Sequence, residues 1–126
     1  MRALSIRQPW AQLILLRRKI IEVRSRRTHL SERVFIYAPK NRIEPAEETR
    51  ITKIYGIDVD GLPRGMLVGT VKIEGCLPLK QDDSPAACFE ITEAHGFYAW
   101  LLARPERAEN LLKPKNQPHA MFFNPF

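Results

Sequence analysis

Lys19, Glu22 and Arg24 are the residues of this chain whose types and spacing best fit a chemical role. They lie in a segment, residues 17–33, that contains seven Arg or Lys residues and two Glu residues. This local balance of +5 accounts for most of the net charge of +6 on the whole chain. Concentrated positive charge attracts phosphate groups. A carboxylate at Glu22 adds nothing to a plain electrostatic patch, so its presence indicates a more specific site.

Each of these three side chains has a defined chemical capacity. Lys19 can contact phosphate as a point charge, or act as a general acid or base if burial lowers its pKa. Glu22 can accept a hydrogen bond from the exocyclic amine of a base or orient Lys19. Arg24 can hold a phosphate through two parallel hydrogen bonds. The alternative is structural, because an ion pair of Glu22 with Lys19 or Arg24 can simply fix the local fold.

Further side chains in and near this segment offer contacts to nucleic acid. Arginines supply charge and a planar face that stacks on bases, hydroxyls supply hydrogen bonds, and an aromatic ring supplies a stacking surface. Besides Lys19 and Arg24, the predicted nucleic-acid-binding residues are Arg18, Ser25, Arg26, Arg27, Thr28 and Tyr37. Packing in the core is the alternative for Tyr37. For Trp10 the core is the main prediction and base stacking at a rim is the alternative.

Local patterns predict the elements that position these residues. A strand is expected over residues 3–6, and a helix over residues 9–16 begins at a proline. Residues 20–24 are β-branched and alternating, which predicts a strand with Glu22 and Arg24 on one face. Lys19 has the opposite parity from Glu22. The two can therefore cooperate only if Lys19 lies in the turn before the strand, or if a bulge re-aims it.

The rest of the chain predicts a small α+β protein. A helix is expected over residues 44–55, ending at Gly56, and Gly69 indicates a bulge or a close backbone approach. Strands are expected over residues 34–38, 66–75 and 97–103, and Arg104-Pro105 is expected to end the last of these. Two short closing strands are expected at residues 111–112 and 121–123, connected by residues 113–118. Five or six strands with two or three short helices fit a small β-barrel in one domain over residues 1–126.

Composition narrows the class of partner. A pI near 9.7 favours nucleic acid, and no apolar run approaches the length of a membrane span. Cys76 and Cys88 form no CxxC motif, and the three histidines, at 29, 95 and 119, are scattered. We therefore expect reduced cysteines in a cytoplasmic protein, with no metal site and no cofactor.

The order of motifs along the chain resembles the ASCH domain family. Residues 5–11, followed by Lys19 to Ser25 and Thr28, are similar to a family pattern whose second part is Gly-x-Lys-x-x-Glu-x-Arg-Ser/Thr. Further similar segments follow in order at residues 36–38, 62–69, 96–102 and 113–123. The resemblance thus covers almost the whole chain. Each motif alone is weakly specific, whereas the ordered set is fairly specific.

The resemblance implies a PUA-like barrel with a cleft bordered by the Lys-x-x-Glu segment, and RNA or a modified nucleoside as the ligand. It also implies an enzymatic alternative, since some relatives are ribonucleases and a subgroup removes an acyl group from N4-acetylcytidine. That subgroup uses a Lys, a Thr and a later Glu. Lys19 corresponds to the Lys, Glu22 occupies the position of the Thr, and Glu93 is the candidate for the later acid.

Three departures from the family pattern favour binding over catalysis. Arg18 is assigned to the motif glycine, Arg26 replaces a frequent Trp, and Ser31-Glu32 replaces a frequent Arg-Gly. We therefore expect a domain that binds single-stranded RNA or a nucleotide in a basic cleft. The alternatives are a weak ribonuclease or N4-acetylcytidine-type amidohydrolase, with Lys19 and Glu22 as catalytic residues, and a protein-interaction module.

Overall fold

In the computed structural model, the described residues of the chain form a six-stranded mixed sheet and three α-helices. The structure describes residues 1–116, 118 and 120–126. Gln117, in the predicted connection, and His119, one of the three histidines, lie outside the described residues. The elements in chain order are β1 (Ala3–Ser5), α1 (Trp10–Leu15), β2 (Ile21–Arg24), β3 (Glu32–Ala38), α2 (Pro45–Tyr55), β4 (Met66–Pro78), α3 (Ser84–Ala87), β5 (Tyr98–Leu112) and β6 (Phe122–Phe123).

The strands are arranged in the order β2-β5-β4-β3-β1-β6. β1 pairs with β3 in parallel, and every other pair in the described residues is antiparallel. The predicted α+β class is confirmed, and the six strands and three helices of the described residues fall within the expected five or six strands and two or three helices. Hydrogen bonds do not close the sheet into the barrel that was predicted, because β2 and β6 are its two edges within the described part of the chain. β3, predicted from its continuous apolar run, lies inside the sheet between β4 and β1.

Helix α1 packs between the sheet and α2. Ile14 joins the main core with side chains of β3, β4 and β5, while the adjacent Leu13 packs against Ile51 of α2. Helix α2 begins with Pro45, and Gly56 follows its last residue as the C-cap. The φ of Gly56 is 68°, which is left-handed and agrees with its prediction as the end of the helix. None of the helices in the described residues has the length and hydropathy that a membrane span requires.

The end of α1 corrects one assignment made from the sequence. The Arg18 N–H donates to Leu13 O at 2.9 Å and the Arg17 N–H to Ile14 O at 3.0 Å, which is the Schellman arrangement. In this arrangement the left-handed residue is usually glycine, and here it is Arg17, with φ of 62°. The motif glycine therefore corresponds to Arg17, two residues before Lys19, and the assignment to Arg18 was wrong.

Strand β5 corrects a second prediction, because Arg104-Pro105 does not end it. Ala103 pairs with Lys72 and Glu106 with Thr70, so that Arg104 and Pro105 together stand opposite Val71. This is a β-bulge, and the proline is tolerated because a bulge leaves one residue out of the hydrogen-bond ladder. Residues 111–112, predicted as a separate closing strand, are therefore the end of β5. The closing strand predicted at residues 121–123 is confirmed as β6.

Gly69 and residues 79–87 are two further places where a local prediction meets the structure. A Cβ on Gly69 would collide with the carbonyl oxygen of Glu106 and lie 2.7 Å from Leu15 Cδ2, which confirms the predicted close backbone approach. The region predicted as a loop over residues 79–87 contains a 3-10 turn, Gln81–Asp83, and the helix α3. This four-residue helix is too short to leave a periodic hydrophobic pattern.

Candidate functional site

A cleft of about 570 Å³ lies where the end of β1, the start of α1, strand β2 and the residues after α3 meet. Its volume falls within the roughly 300–1,000 Å³ that is usual for small-molecule sites. The described residues that line it are Ser5, Ile6, Arg7, Trp10, Lys19, Glu22, Val23, Arg24, Pro39, Asn41, Glu47, Phe89 and Pro118. Lys19, Glu22 and Arg24 of the predicted motif therefore border a cavity of ligand size.

Lys19 is buried at the base of this cleft. It lies in the turn between α1 and β2, which is the first of the two positions that its parity allowed, and its backbone N–H donates to Leu13 O at 3.1 Å. The side chain is 2% exposed, and Nζ lies 3.8 Å from Glu22 Oε1. An ammonium group buried to this extent needs several partners to offset its lost hydration.

The end of α3 supplies the closest of those partners. Lys19 Nζ donates to Ala87 O at 2.7 Å. The neighbouring carbonyl of Ala86 accepts from the Ile20 N–H at 2.9 Å, and that of Cys88 accepts from Arg50 Nη2 at 2.8 Å. Three successive carbonyl groups at the end of a short helix, those of Ala86, Ala87 and Cys88, thus connect the start of β2, the lysine and α2. This helix was not predicted.

Glu22 and Arg24 share one face of β2, as predicted. Arg24 Nε and Nη2 donate to Glu22 Oε2 at 2.9 and 2.6 Å, and Nη2 also donates to Ser5 O at 2.8 Å. The Arg24 guanidinium lies 5.8 Å from the centre of the Trp100 ring. Glu22 therefore has one oxygen bound to Arg24 and the other facing Lys19. The structural ion pair considered as an alternative is present, and it lies in the cleft wall.

Two aromatic rings lie beside the amine of Lys19. Nζ is 5.0 Å from the ring centre of Trp10 and 5.5 Å from that of Phe89, and the two rings meet edge to face at 6.0 Å. Trp10 was predicted to be a core residue. It is half-buried because one side packs on the core while the other lines the cleft. Phe89 was not predicted, since an isolated Phe beside α3 gives no pattern.

Two of the predicted binding residues stack on tyrosines outside the cleft. The guanidinium of Arg18 lies 5.2 Å from the ring centre of Tyr55, and that of Arg27 lies 5.2 Å from the ring centre of Tyr98. Neither arginine is among the described lining residues. Their positive charge contributes to the electrostatic field around the cleft, but their guanidinium groups pack on tyrosine rings at the protein surface.

Ser25, Arg26 and Thr28 also lie outside the cleft lining. Ser25 is exposed, the carbonyl of Arg26 accepts a hydrogen bond from Trp100 Nε1 at 2.8 Å, and Thr28 Oγ1 accepts from the Leu30 N–H at 3.2 Å. These contacts shape the loop after β2. Of the residues predicted to bind nucleic acid, Lys19 and Arg24 are the two that the structure brings to the cleft.

Tyr37 and Glu93 lie away from the cleft as well. Tyr37 is 5% exposed and packs edge to face on Phe123 with ring centres 5.5 Å apart, so it has the core position given as its alternative. Glu93 is exposed, and its Oε1 accepts from the His95 N–H at 3.1 Å. Neither residue lines the cleft. The later acid implied by the deacylating subgroup therefore has no counterpart at Glu93.

The charge of the cleft is only weakly positive. Arg7, Lys19 and Arg24 face Glu22 and Glu47 among the described lining residues. Glu47 is already paired with Arg50, at 2.7 and 3.1 Å. Arg7 is exposed and has no ion pair within the described part of the chain. The described residues contain no cluster of three or more His, Cys, Asp or Glu that could hold a metal ion.

The burial of Lys19 should make the free energy of unfolding depend on pH in a testable way. Loss of hydration lowers the pKa of its amine below 10.5, and the nearby Glu22 carboxylate opposes the shift. Because the folded protein holds this proton less tightly than the unfolded chain, stability should rise as pH increases from the folded pKa towards 10.5. We expect the wild type to gain stability relative to Lys19→Met over this window. Urea unfolding of both proteins between pH 7 and 10.5 measures the difference, and a constant difference would contradict the assignment.

The fold and the cleft define a class of protein, a small α+β domain with a ligand-sized cavity beside an edge strand. A Lys-x-x-Glu-x-Arg motif runs from the turn before this strand to the end of the strand. The chain belongs to the ASCH domain family, whose pattern matches residues 4–114. The earlier resemblance is thereby confirmed. No curated protein sequence matches the chain closely enough to refine this assignment.

Solved structures support the same fold. The chain is similar to the crystal structure of ASCH from Zymomonas mobilis, with a TM-score of 0.64 and 16% identity over 97% of this chain and 85% of that one. A tyrosine-to-phenylalanine variant of the same protein has a TM-score of 0.60 at 14% identity, with 97% and 87% of the two chains covered. A serine-to-alanine variant has a TM-score of 0.59 at 15% identity, with 97% of this chain and 85% of that one covered. At this identity the likeness establishes the fold.

Proposed function

We propose that this domain binds a nucleotide of single-stranded RNA, or a modified nucleoside, in the cleft. The observation that carries the proposal is the placement of Lys19, Glu22 and Arg24 in a wall of a ligand-sized cavity next to the rings of Trp10 and Phe89. A nucleobase needs an aromatic surface together with a few fixed polar groups. The cleft supplies both within the reach of one nucleotide.

Each group in the cleft has a proposed role in this binding. The base stacks on Trp10, while Lys19 Nζ, which uses one of its donors on Ala87 O, offers its remaining donors to base or sugar oxygens. Glu22 Oε1 accepts from an exocyclic amine. Arg7, at the exposed rim, contacts the phosphate. The two unpaired cysteines support a cytoplasmic location as part of the same proposal.

A second candidate function is catalysis, which the burial of Lys19 favours. An amine with a lowered pKa beside a carboxylate is a common arrangement for proton transfer. The corresponding activity is metal-independent hydrolysis of RNA or of an amide such as that of N4-acetylcytidine. Glu22 stands where the deacylating relatives have a Thr, and this substitution is why binding is placed first.

Binding is tested by titrating short single-stranded RNAs and nucleosides at two salt concentrations. Trp10→Ala is expected to weaken RNA binding by about 5- to 150-fold, since stacking contributes roughly 1–3 kcal/mol per base. Arg7→Ala should weaken it and reduce the slope of log affinity against log salt by about 1. Lys53→Ala, which removes an exposed charge on α2, is the matched control.

Several outcomes would reject this proposal. Wild-type protein that binds no RNA or nucleoside at low salt would do so, as would full affinity in both Trp10→Ala and Arg7→Ala. Tight binding to one protein, with equal affinity for all RNAs, would instead assign an interaction module. Turnover of RNA or N4-acetylcytidine that is abolished in Lys19→Met would establish the catalytic alternative, whereas turnover surviving in both Lys19→Met and Glu22→Gln would place it outside this cleft.

A further inference from the structure

A second, smaller pocket of about 160 Å³ lies between the end of α1 and the bulge of β5. Apolar side chains from α1, β4 and β5 form much of its wall, with Arg17 and Arg104 among the lining residues and no carboxylate among those described. Neither guanidinium has an ion pair within the described part of the chain. The pocket is too small for a nucleoside, and its free charges are all positive.

Both arginines occupy backbone positions that normally belong to glycine. Arg17 follows the end of α1 in a Schellman arrangement with φ of 62°, and Arg104 is the first residue of a bulge with φ of 50°. Glycine is the usual residue at each of these positions, because a Cβ is disfavoured in the left-handed conformation. The chain therefore keeps two strained arginines at one pocket. Strain of this kind often accompanies a functional site.

We propose that Arg17 and Arg104 form an anion site that holds one phosphate group. Two guanidinium groups can donate several hydrogen bonds to phosphate oxygens, and the planar fork of each matches that geometry. The site lies outside the nucleoside cleft, and Lys19 lines both cavities. The phosphate comes either from a free phosphate compound or from the backbone of RNA that extends beyond the cleft.

Thermal unfolding in inorganic phosphate tests the site, with sodium chloride of equal ionic strength as the reference. The wild type should gain about 2–4 °C in Tm at phosphate concentrations well above its Kd. The double variant Arg17→Gly with Arg104→Gly should begin at a higher Tm, by about 2–5 °C or more, because the strain is relieved. It should also lose the phosphate-specific gain. Opposite changes in stability and in anion binding would not arise from damage to the fold.

Matched controls isolate the two guanidinium groups. Lys53→Ala with Lys113→Ala removes the same net charge from exposed residues that do not line the pocket, and it should keep the phosphate-specific gain. Arg17→Asn with Arg104→Asn repeats the test with a residue that tolerates the left-handed conformation, should the glycine pair fail to fold. A phosphate-specific gain that is unchanged in the folded double variant would overturn the proposal.

A second arm of the experiment identifies the source of the phosphate. If RNA supplies it, the Arg17 and Arg104 double variant should bind a short RNA more weakly, with a salt slope reduced by about 1–2. If a free phosphate compound supplies it, RNA affinity should stay unchanged while the thermal gain is lost. Absence of RNA binding by the wild type would reject the function proposed for the cleft. The thermal unfolding experiment in inorganic phosphate would still show whether Arg17 and Arg104 bind an anion.

Discussion

Replacing Glu22 with alanine is expected to lower the free energy of unfolding by about 3–5 kcal/mol. The carboxylate accepts two hydrogen bonds from Arg24, at 2.9 and 2.6 Å, and lies 3.8 Å from Lys19 Nζ. Its removal leaves a buried ammonium and a largely buried guanidinium close together without a counter-charge. The cost therefore comes mainly from two uncompensated cations rather than from the lost hydrogen bonds.

A small set of variants separates these contributions. Glu22→Gln keeps the shape and one acceptor oxygen but loses the charge, so its cost should be intermediate. Lys19→Met combined with Glu22→Leu also removes the buried ammonium but leaves Arg24 without its carboxylate, so it should recover only the part of the stability loss that Lys19 causes in Glu22→Ala. Urea unfolding at pH 7 measures all four proteins. A cost below about 1 kcal/mol for Glu22→Ala would mean that solvent already screens the pair, as at exposed sites.

Replacing Trp100 with alanine is expected to cost about 3–5 kcal/mol in the free energy of unfolding and to weaken ligand binding as well. The side chain is 1% exposed, and its ring stacks on Phe122 at 5.6 Å. Its Nε1–H donates to Arg26 O at 2.8 Å, and its face lies 5.8 Å from the Arg24 guanidinium. The ring therefore supports Arg24 and the loop after β2, although it does not line the cleft.

Trp100→Phe is the matched control, because it keeps an aromatic ring and loses the hydrogen bond to Arg26. Its expected cost is about 1–3 kcal/mol, including the unsatisfied carbonyl. The RNA titration described above, carried out on both variants under folding conditions, measures the effect on the cleft. Affinity unchanged in Trp100→Ala would show that Arg24 holds its position through Glu22 and Ser5 alone.

The local part of the site was predictable from the sequence. The parity of a strand depends only on residue spacing, so the position of Glu22 and Arg24 on one face of β2 followed from residues 20–24. The opposite parity of Lys19 left a preceding turn or a bulge as the two possibilities, and the turn is the one observed. The end of α2 at Gly56 followed from local conformational preference in the same way. Spacing determines such features because the atoms involved are close together along the chain.

The long-range part was not predictable. Ala87 and Phe89 contact Lys19 although they lie 68 and 70 residues further along the chain, and no pattern in the segment around α3 indicates this contact. Tyr37 lies in a strand that is apolar on both faces, so its sequence could not distinguish the core from the cleft. The predicted end of β5 at Arg104 failed because pairing with β4 on both sides of the bulge outweighs a local break.

The shared acceptor at the end of α1 makes the length of this segment a constraint on evolution and on protein engineering. Leu13 O accepts hydrogen bonds from both the Arg18 N–H and the Lys19 N–H. The position of Lys19 is therefore fixed by the same carbonyl that ends the helix, and the number of residues between the two cannot change. Substitutions within residues 16–18 can leave this geometry intact. An insertion or deletion there would turn the lysine away from Ala87 and reverse the face of every following side chain in β2. Related proteins should therefore differ in the types of residues 16–18 while keeping the same number of residues in this segment.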